Sequence, residues 1–557
     1  MPGVPDFARL RQRLLPESGW AKVALLLLVL FTLMRSVLWA SVQPAFFAPD
    51  EDYHWNYINY LVVKHTVPSL DKGEYTAELY ATQVLTGEAQ YFSGPRTKYD
   101  GHPHQILGEL SALNPSRTPA LPKPRPVLHP PAYYLPAAVI DKLLWSKVSV
   151  TRLTAMRWYS AALGALTVYF AYLLGAAILA REWQRLAAAA LVSLQTIMAF
   201  SASTLTNDVG VAAALTATLA WCAWMLRSPP SRRQGIGLGI LFSIAIMVKA
   251  TMLSLVIMIA VTVLLQWRTF PGHRQQLKEM LAWMIAIPLV LTGWWYALLL
   301  INTGSLLGER GSLVAAHGPG PGITHAPAIA WEWLNDIYRG YWFDYNDFEV
   351  RTRDIWFWAP LAGMVITAAG FVLLCIRRGR RLFLPEDTEM RAVLVLVLTA
   401  LVLLLPPWAL DTLRGVRGLP FVTAQARFLA PAYPGLAVVA ILGLRELTKG
   451  VRRLFEIAVA VLVAANFVLF CHTWVVWTLE RFYGPIHGHW IRALLHASYD
   501  KPAFITQWSL LAFGLGAVTF FVAGYLVAVV GAVRESRRSG PAVRYARPPS
   551  IAVTARQ

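Results

Sequence analysis

Residues 23–54 read VALLLLVLFTLMRSVLWASVQPAFFAPDEDYH: an apolar run from Val23 to Leu38, then the acidic cluster Pro49-Asp50-Glu51-Asp52-Tyr53-His54. The run is long enough to cross a bilayer, so the cluster sits at the outer edge of a membrane helix. Carboxylates at such a boundary are costly to desolvate and are seldom kept without a partner, a pathway or a reaction. The plain alternative is a solvated start to a loop.

The apolar signal recurs along the chain. Segments near 20–42, 131–146, 158–180, 186–204, 209–226, 235–249, 251–267, 280–301, 355–376, 391–409, 426–444, 454–478 and 505–533 fit membrane helices. With 557 residues, 56% hydrophobic and 22 Trp, and a mean hydropathy of +0.47, the chain reads as an all-α polytopic membrane protein with about 12–13 transmembrane helices. A soluble multidomain protein is excluded. The net charge of +19 does not call for nucleic acid, because Lys and Arg gather in short loops between apolar runs. Cys222, Cys375 and Cys471 lie inside apolar runs, which gives no disulfide framework and no Cys metal site. Arg9, Arg11, Arg13 and Lys22 before a long apolar stretch predict an uncleaved signal anchor with a cytoplasmic N-terminus.

Basic clusters at Arg227/Arg232/Arg233, Arg268/Arg274/Lys278, Arg377/Arg378/Arg380/Arg381, Arg445/Lys449/Arg452/Arg453 and Arg534/Arg537/Arg538 alternate as a positive-inside topology requires. With both termini inside, the number of crossings must be even. The segment expected not to cross is 131–146, which is short, begins Pro130-Pro131 and carries Asp141 and Lys142; the alternative is that Arg181/Arg185 form an exception to the rule. The expected organisation is a cytoplasmic stretch 1–19, a transmembrane module 20–301 with outer loop 41–128, a second outer loop 302–354, a C-terminal module 355–533 and a basic tail 534–557. The first loop contains an amphipathic piece, His54 to Val63, suited to a juxtamembrane helix. The second runs from Gly318-Pro319-Gly320-Pro321-Gly322 into the aromatic stretch Tyr338 to Tyr345, a pattern that suits a substrate lid and equally a loop that is simply flexible.

Polar residues collect at the expected outer ends of helices distant in sequence: His129-Pro130-Pro131-Ala132-Tyr133-Tyr134, Thr206-Asn207-Asp208, Lys249 and Gln425-Ala426-Arg427-Phe428. Taken singly, each has an ordinary explanation. Asn207 or Asp208 would cap a helix, and Lys249 would snorkel. Yet Lys249 and Arg427 lie on the side opposite to the positive-inside preference. Carboxylates (Asp50, Glu51, Asp208), a histidine and two cations at one membrane edge suit a substrate with an anionic headgroup and an apolar tail.

In order along residues 20–445, Pro49-Asp50-Glu51-x-x-His54, His65-x-x-Pro68, His129-Pro130-Pro131-x-Tyr133-Tyr134, Asn207-Asp208, Lys249 and Gln425-x-Arg427-Phe428-x-x-Pro431 resemble the GT-C superfamily of membrane glycosyltransferases. More narrowly they resemble its DUF2142-like branch, related to the protein mannosyltransferase and aminoarabinose transferase (ArnT-like) group. The resemblance implies a GT-C fold with a long first extracytoplasmic loop bearing juxtamembrane helices. It also implies a site facing the periplasm or exterior of the plasma (inner) membrane, and transfer of a sugar from a polyprenyl-phosphate donor to an extracytoplasmic glycan, lipid or protein, with inversion. By position it implies Asp50 as catalytic base with Glu51 beside it, Lys249 and Arg427 on the donor phosphate, and Asp208 orienting the acceptor. His129 stands where some relatives have Lys, so a phosphate contact there requires a protonated imidazole. His54, Tyr133, Asn207, Gln425 and Tyr345 complete the expected substrate contacts. No cofactor is demanded; a divalent cation on Asp50 and Asp208 stays open. So do two other readings, a flippase of lipid-linked sugars and a glycan ligase or polymerase using polyprenyl-pyrophosphate donors. No Gly-Lys-Ser/Thr phosphate loop, dinucleotide fingerprint or His-Glu-x-x-His motif occurs.

Overall fold

The computed structural model describes residues 15–67, 74–85, 119–122, 129–304, 306, 320–343, 355–379, 387–421, 423, 425–449, 451–474, 479, 481–483, 490–497 and 501–538. Its first part comprises α1 (Gly19–Val42), α2 (Glu51–Lys64), β1 (Glu74–Thr76), α3 (Ala77–Leu85), β2 (Pro119–Pro122), α4 (Tyr134–Leu143), α5 (Ser149–Ile178), α6 (Glu182–Leu194), α7 (Thr196–Ser201), α8 (Asp208–Met225) and α9 (Arg232–Val248). There follow α10 (Leu255–Thr269), α11 (Arg274–Thr303), α12 (Ala326–Trp342), α13 (Ile355–Arg378), α14 (Thr388–Val416), α15 (Tyr433–Leu447), α16 (Arg452–Trp474), α17 (Trp490–His496) and α18 (Gln507–Arg538). The helical plan has one addition, the short antiparallel pair β1–β2 in the connection between α1 and α4.

Among the described residues ten helices are long and apolar enough to cross a membrane, and the chain is a multi-pass membrane protein. Two further segments approach that length. α6 and α7 run through 182–201 with a break at Gln195, whose side chain accepts from the Met198 amide at 3.0 Å. α9 has 17 residues, about 25 Å at the helical rise. Counting both gives twelve candidate crossings among the described residues. The thirteenth apolar segment yields only α4, 10 residues long and thus about 15 Å, half the hydrocarbon thickness.

α8 and α15 form the centre. Their spanning windows are 89% and 78% buried, against 17% for α13 and α18. Small residues make this packing feasible: a Cβ on Gly210 of α8 would lie 3.1 Å from Val248 Cγ1 and 3.3 Å from Tyr133 Cδ2. α8 packs on α5 and α9, α15 packs on α6, α13 and α14, and α1 lies along α5 and α18. Asp208 opens α8, and Arg427 lies in the 3-10 turn Ala426–Phe428 just before α15. Two charged side chains are therefore carried by the best-buried helices.

Two short helices between α1 and α5 dock on α5 through charge. Buried Arg152 binds Glu78 of α3 and, at 3.0 Å, Asp141 of α4. Its guanidinium also lies 4.9 Å from the Trp55 ring and 4.7 Å from the Trp145 ring. Burial pushes the Asp141 carboxyl up to about 6, against the pull of Arg152.

Candidate active site

The chain leaving α1 turns sharply into α2, and one side chain organises the turn. Arg157 of α5 donates to the carbonyls of Ala40 (3.1 Å), Gln43 (2.8 Å) and Pro44 (2.9 Å), satisfying helix-end acceptors that have no partner within α1. The same guanidinium grips Glu51 with two hydrogen bonds, Nε to Oε1 at 2.8 Å and Nη2 to Oε2 at 2.5 Å. Glu51 also accepts from the amides of Phe46 (3.1 Å) and Leu205 (2.9 Å) and is 0% exposed. Expected as a second catalytic carboxylate, Glu51 is instead saturated by its donors and turned into the protein. Phe46 and Asp50, both in the turn that precedes Glu51, adopt left-handed backbone, with φ of 64° and 59°, each at a cost of about 1–2 kcal/mol.

Asp50, one residue earlier, points the other way. Its side chain is 43% exposed and paired with Arg427. Arg427 also donates to Gln425 Oε1 from Nε (2.9 Å) and Nη2 (2.7 Å), and from Nη1 to the Pro49 carbonyl (3.1 Å). Its Nε lies 3.7 Å from Asp208 Oδ2, while Asp208 Oδ1 accepts from Lys249 Nζ at 2.5 Å. Lys249 ends α9 in extended conformation, φ −154° and ψ 129°, and lies 4.6 Å from the Phe428 ring centroid; Arg427 lies 5.3 Å from the same ring. The result is an alternating row, Asp50, Arg427, Asp208, Lys249, drawn from four separate parts of the chain. Only Asp50 is substantially open: Asp208, Arg427 and Lys249 are 5%, 10% and 12% exposed. Partial burial raises the Asp50 carboxyl, but the charge and hydrogen bond of Arg427 outweigh it and hold Asp50 below the usual carboxylate range.

A second, uncharged wall adjoins this row. His54 Nδ1 and the Tyr134 hydroxyl share a 2.8 Å hydrogen bond, and the Tyr57 hydroxyl donates to the His129 carbonyl at 2.8 Å. The rings of His54 and His129 stack at 6.0 Å, those of Tyr57 and Tyr134 at 4.0 Å. Burial brings His54 down to about 4, and burial together with nearby Lys249 brings His129 well below its ordinary value. The protonated His129 needed for a phosphate contact is thus disfavoured.

Other expected contacts fall outside the row. The Tyr133 hydroxyl bonds Ser160 at 2.8 Å inside the core. Asn207 makes no side-chain cap; its amide reaches the Val248 carbonyl at 3.3 Å. Tyr345 lies outside the described residues. Sequence reading missed Arg157 and also Arg35, a buried arginine within α1 that lines, with Asp208 and Ser201, a cavity of about 10 Å³. That space suits a single water. For Arg35 the available signal was an ionisable residue inside an apolar run; Arg157 stands just before the run at 158–180 and gave no such signal.

Among the described residues no group of three or more His, Cys, Asp or Glu is arranged to hold a metal ion. Asp50 and Asp208, the pair considered for a divalent cation, have the Arg427 guanidinium between them. A cation there would meet a fixed positive charge, so the arrangement fits an anion better than a metal.

No protein-family model matches the chain, and no curated protein matches it. Among solved structures it is similar to the Archaeoglobus fulgidus oligosaccharyltransferase complex with Zn and sulfate, at 11% identity and a TM-score of 0.46 over 80% of this chain and 52% of that one. It is similar also to ArnT from Cupriavidus metallidurans bound to undecaprenyl phosphate, at 15% identity and a TM-score of 0.42 over 94% and 79%. A third is the archaeal oligosaccharyltransferase AglB from Archaeoglobus fulgidus in complex with an inhibitory peptide and a dolichol-phosphate, at 11% identity and a TM-score of 0.42 over 87% and 56%. This chain therefore spans about half the length of the archaeal enzyme. These structures belong to the GT-C superfamily that the ordered motifs resemble. Identities of 15% or less and TM-scores below 0.5 leave the chemistry to the site's own residues.

Proposed function

We propose that the chain is a GT-C type membrane glycosyltransferase that moves a sugar from a polyprenyl-phosphate donor to an acceptor hydroxyl on the outer side of the membrane. The observation that carries this reading is the alternating row, in which one accessible carboxylate stands beside two cations at the ends of membrane helices. An apolar tail would remain among lipids while its phosphate meets Lys249 and Arg427.

In the proposed reaction the acceptor oxygen bonds to the sugar C1 as the bond from C1 to the phosphate oxygen breaks, inverting that centre. The hydroxyl proton passes to Asp50, and the bonding pair leaves with polyprenyl phosphate, whose charge Lys249 and Arg427 offset. Asp208 is a positioning residue that aims Lys249. Glu51 and Arg157 fix the turn that presents Asp50. The pair between Asp50 and Arg427 gives the order of events a physical basis. A carboxylate held by a guanidinium is a weak base, and a donor phosphate competing for Arg427 loosens that hold, so the base strengthens once donor is bound. No step in this reaction uses a metal.

The test is release of free polyprenyl phosphate from a panel of polyprenyl-phosphate sugars by the purified protein in lipid with candidate acceptors. Acceptor-dependent release is expected. Movement of intact donor across the bilayer without release would establish a flippase instead, and release only from pyrophosphate-linked donors would establish a ligase or polymerase.

A further inference from the structure

At the end of the bundle opposite the polar row, a cleft of about 450 Å³ lies between α1, α6, α16 and α18. Its walls are apolar, with Leu28, Ala187 and Phe521 among them. Leu28 is 14 residues before Val42, which puts the cleft about 20 Å along α1 from the turn that leads to Asp50. Arg453 and Arg537 border it, both exposed and neither carrying an ion-pair or hydrogen-bond partner among the described residues. The acidic group beside them, Glu456, is bonded by Arg452 at 3.0 Å. Two cations thus stand where an apolar cleft within membrane-spanning helices meets the ends of those helices.

We infer that this cleft is a binding site for an anionic membrane phospholipid, an acyl chain lying between the four helices and the headgroup phosphate on Arg453 and Arg537. The occupant follows from charge and surroundings. A cleft walled by lipid-facing helices is reached by lipid tails, and the uncompensated arginines select a negative headgroup over a zwitterionic one. The site is independent of the transferase reading and distant from its residues.

The experiment uses the full chain in detergent. Thermal unfolding is followed with added phosphatidylglycerol, phosphatidylcholine or glycerol 3-phosphate, and lipid retained through purification is counted by native mass spectrometry. Wild type should be stabilised and occupied by phosphatidylglycerol in preference to phosphatidylcholine, by roughly 30-fold if each arginine contributes its usual surface attraction. The exposed double substitution Arg453→Gln/Arg537→Gln should lose that preference while keeping the same melting temperature without lipid. Ala187→Phe, which fills the cleft, should reduce retention of phosphatidylglycerol. Equal response to both lipids, or an undiminished preference in the double variant, would overturn the inference. An equal shift with glycerol 3-phosphate alone would overturn the acyl-chain part.

Discussion

Two ionic assemblies sit side by side at the mouth of the bundle, one built around Arg157 and the other around Arg427. Arg157 is closed: its carboxylate Glu51 is fully buried and satisfied by two guanidinium nitrogens and two amides. Arg427 is open on one side, where Asp50 keeps 43% of its side-chain surface exposed. Adjacent residues of one acidic cluster thus have opposite fates. A buried carboxylate with every acceptor site occupied holds architecture together, whereas a carboxylate with one charged partner and one open face is available to a substrate. Acidity at a membrane edge does not by itself distinguish the two.

The comparison breaks or sharpens under substitution. Arg157→Met removes one partner of the closed pair and strands Glu51, at an expected cost of about 3–5 kcal/mol; denaturant or thermal unfolding of the purified variant measures it. A melting temperature equal to wild type would mean that the closed assembly is not structural. Lys249→Ala takes a charged donor from the proposed phosphate site, worth about 1.5–3 kcal/mol, or roughly 10-fold to 100-fold in kcat/KM for donor. Equal loss for donor and acceptor would count against a phosphate contact.

A smaller effect concerns pH. The folded-state value of Asp50 is depressed, so the stability from its pair is fully present above its unfolded value, and both that stability and its use as a base are lost as pH falls through the depressed value. The acid limb of kcat/KM should therefore lie below the ordinary carboxylate range in wild type and move upward in Arg427→Gln. An unmoved limb would assign it to another group. The smallest effect is for metal removal, where EDTA should leave release unchanged because Arg427 stands between Asp50 and Asp208. Loss of activity restored by a divalent cation would show that substrate binding rearranges that pair.

Helix positions were legible because a 3.6-residue coil needs a long apolar stretch to cross a bilayer. The shortness of the helix within 131–146 was legible too, in Pro130-Pro131, Asp141 and Lys142. The juxtaposition of Asp50, Asp208, Lys249 and Arg427 was foreshadowed by Lys249 and Arg427 falling, in the expected topology, on the side the positive-inside rule disfavours. What stayed hidden was tertiary. Glu51 meets Arg157 across 106 residues, and nothing local in either stretch specifies that contact. Arg157 abuts the apolar run at 158–180, where hydropathy obscures it. The low proton affinity of His54 and His129 comes from burial by rings supplied elsewhere in the chain, which no motif records.

The most direct measurement compares Asp50→Asn with Glu51→Gln in the same lipid preparation, following polyprenyl phosphate release and melting temperature together. The two assemblies predict a crossed result. Asp50→Asn should lose about 10²- to 10⁴-fold in turnover, the range for removal of a general base, with little change in melting temperature. Glu51→Gln should lower the melting temperature markedly. Near-normal turnover in Asp50→Asn, or a Glu51→Gln protein that melts like wild type but no longer turns over, would contradict the account and move the base to the buried carboxylate.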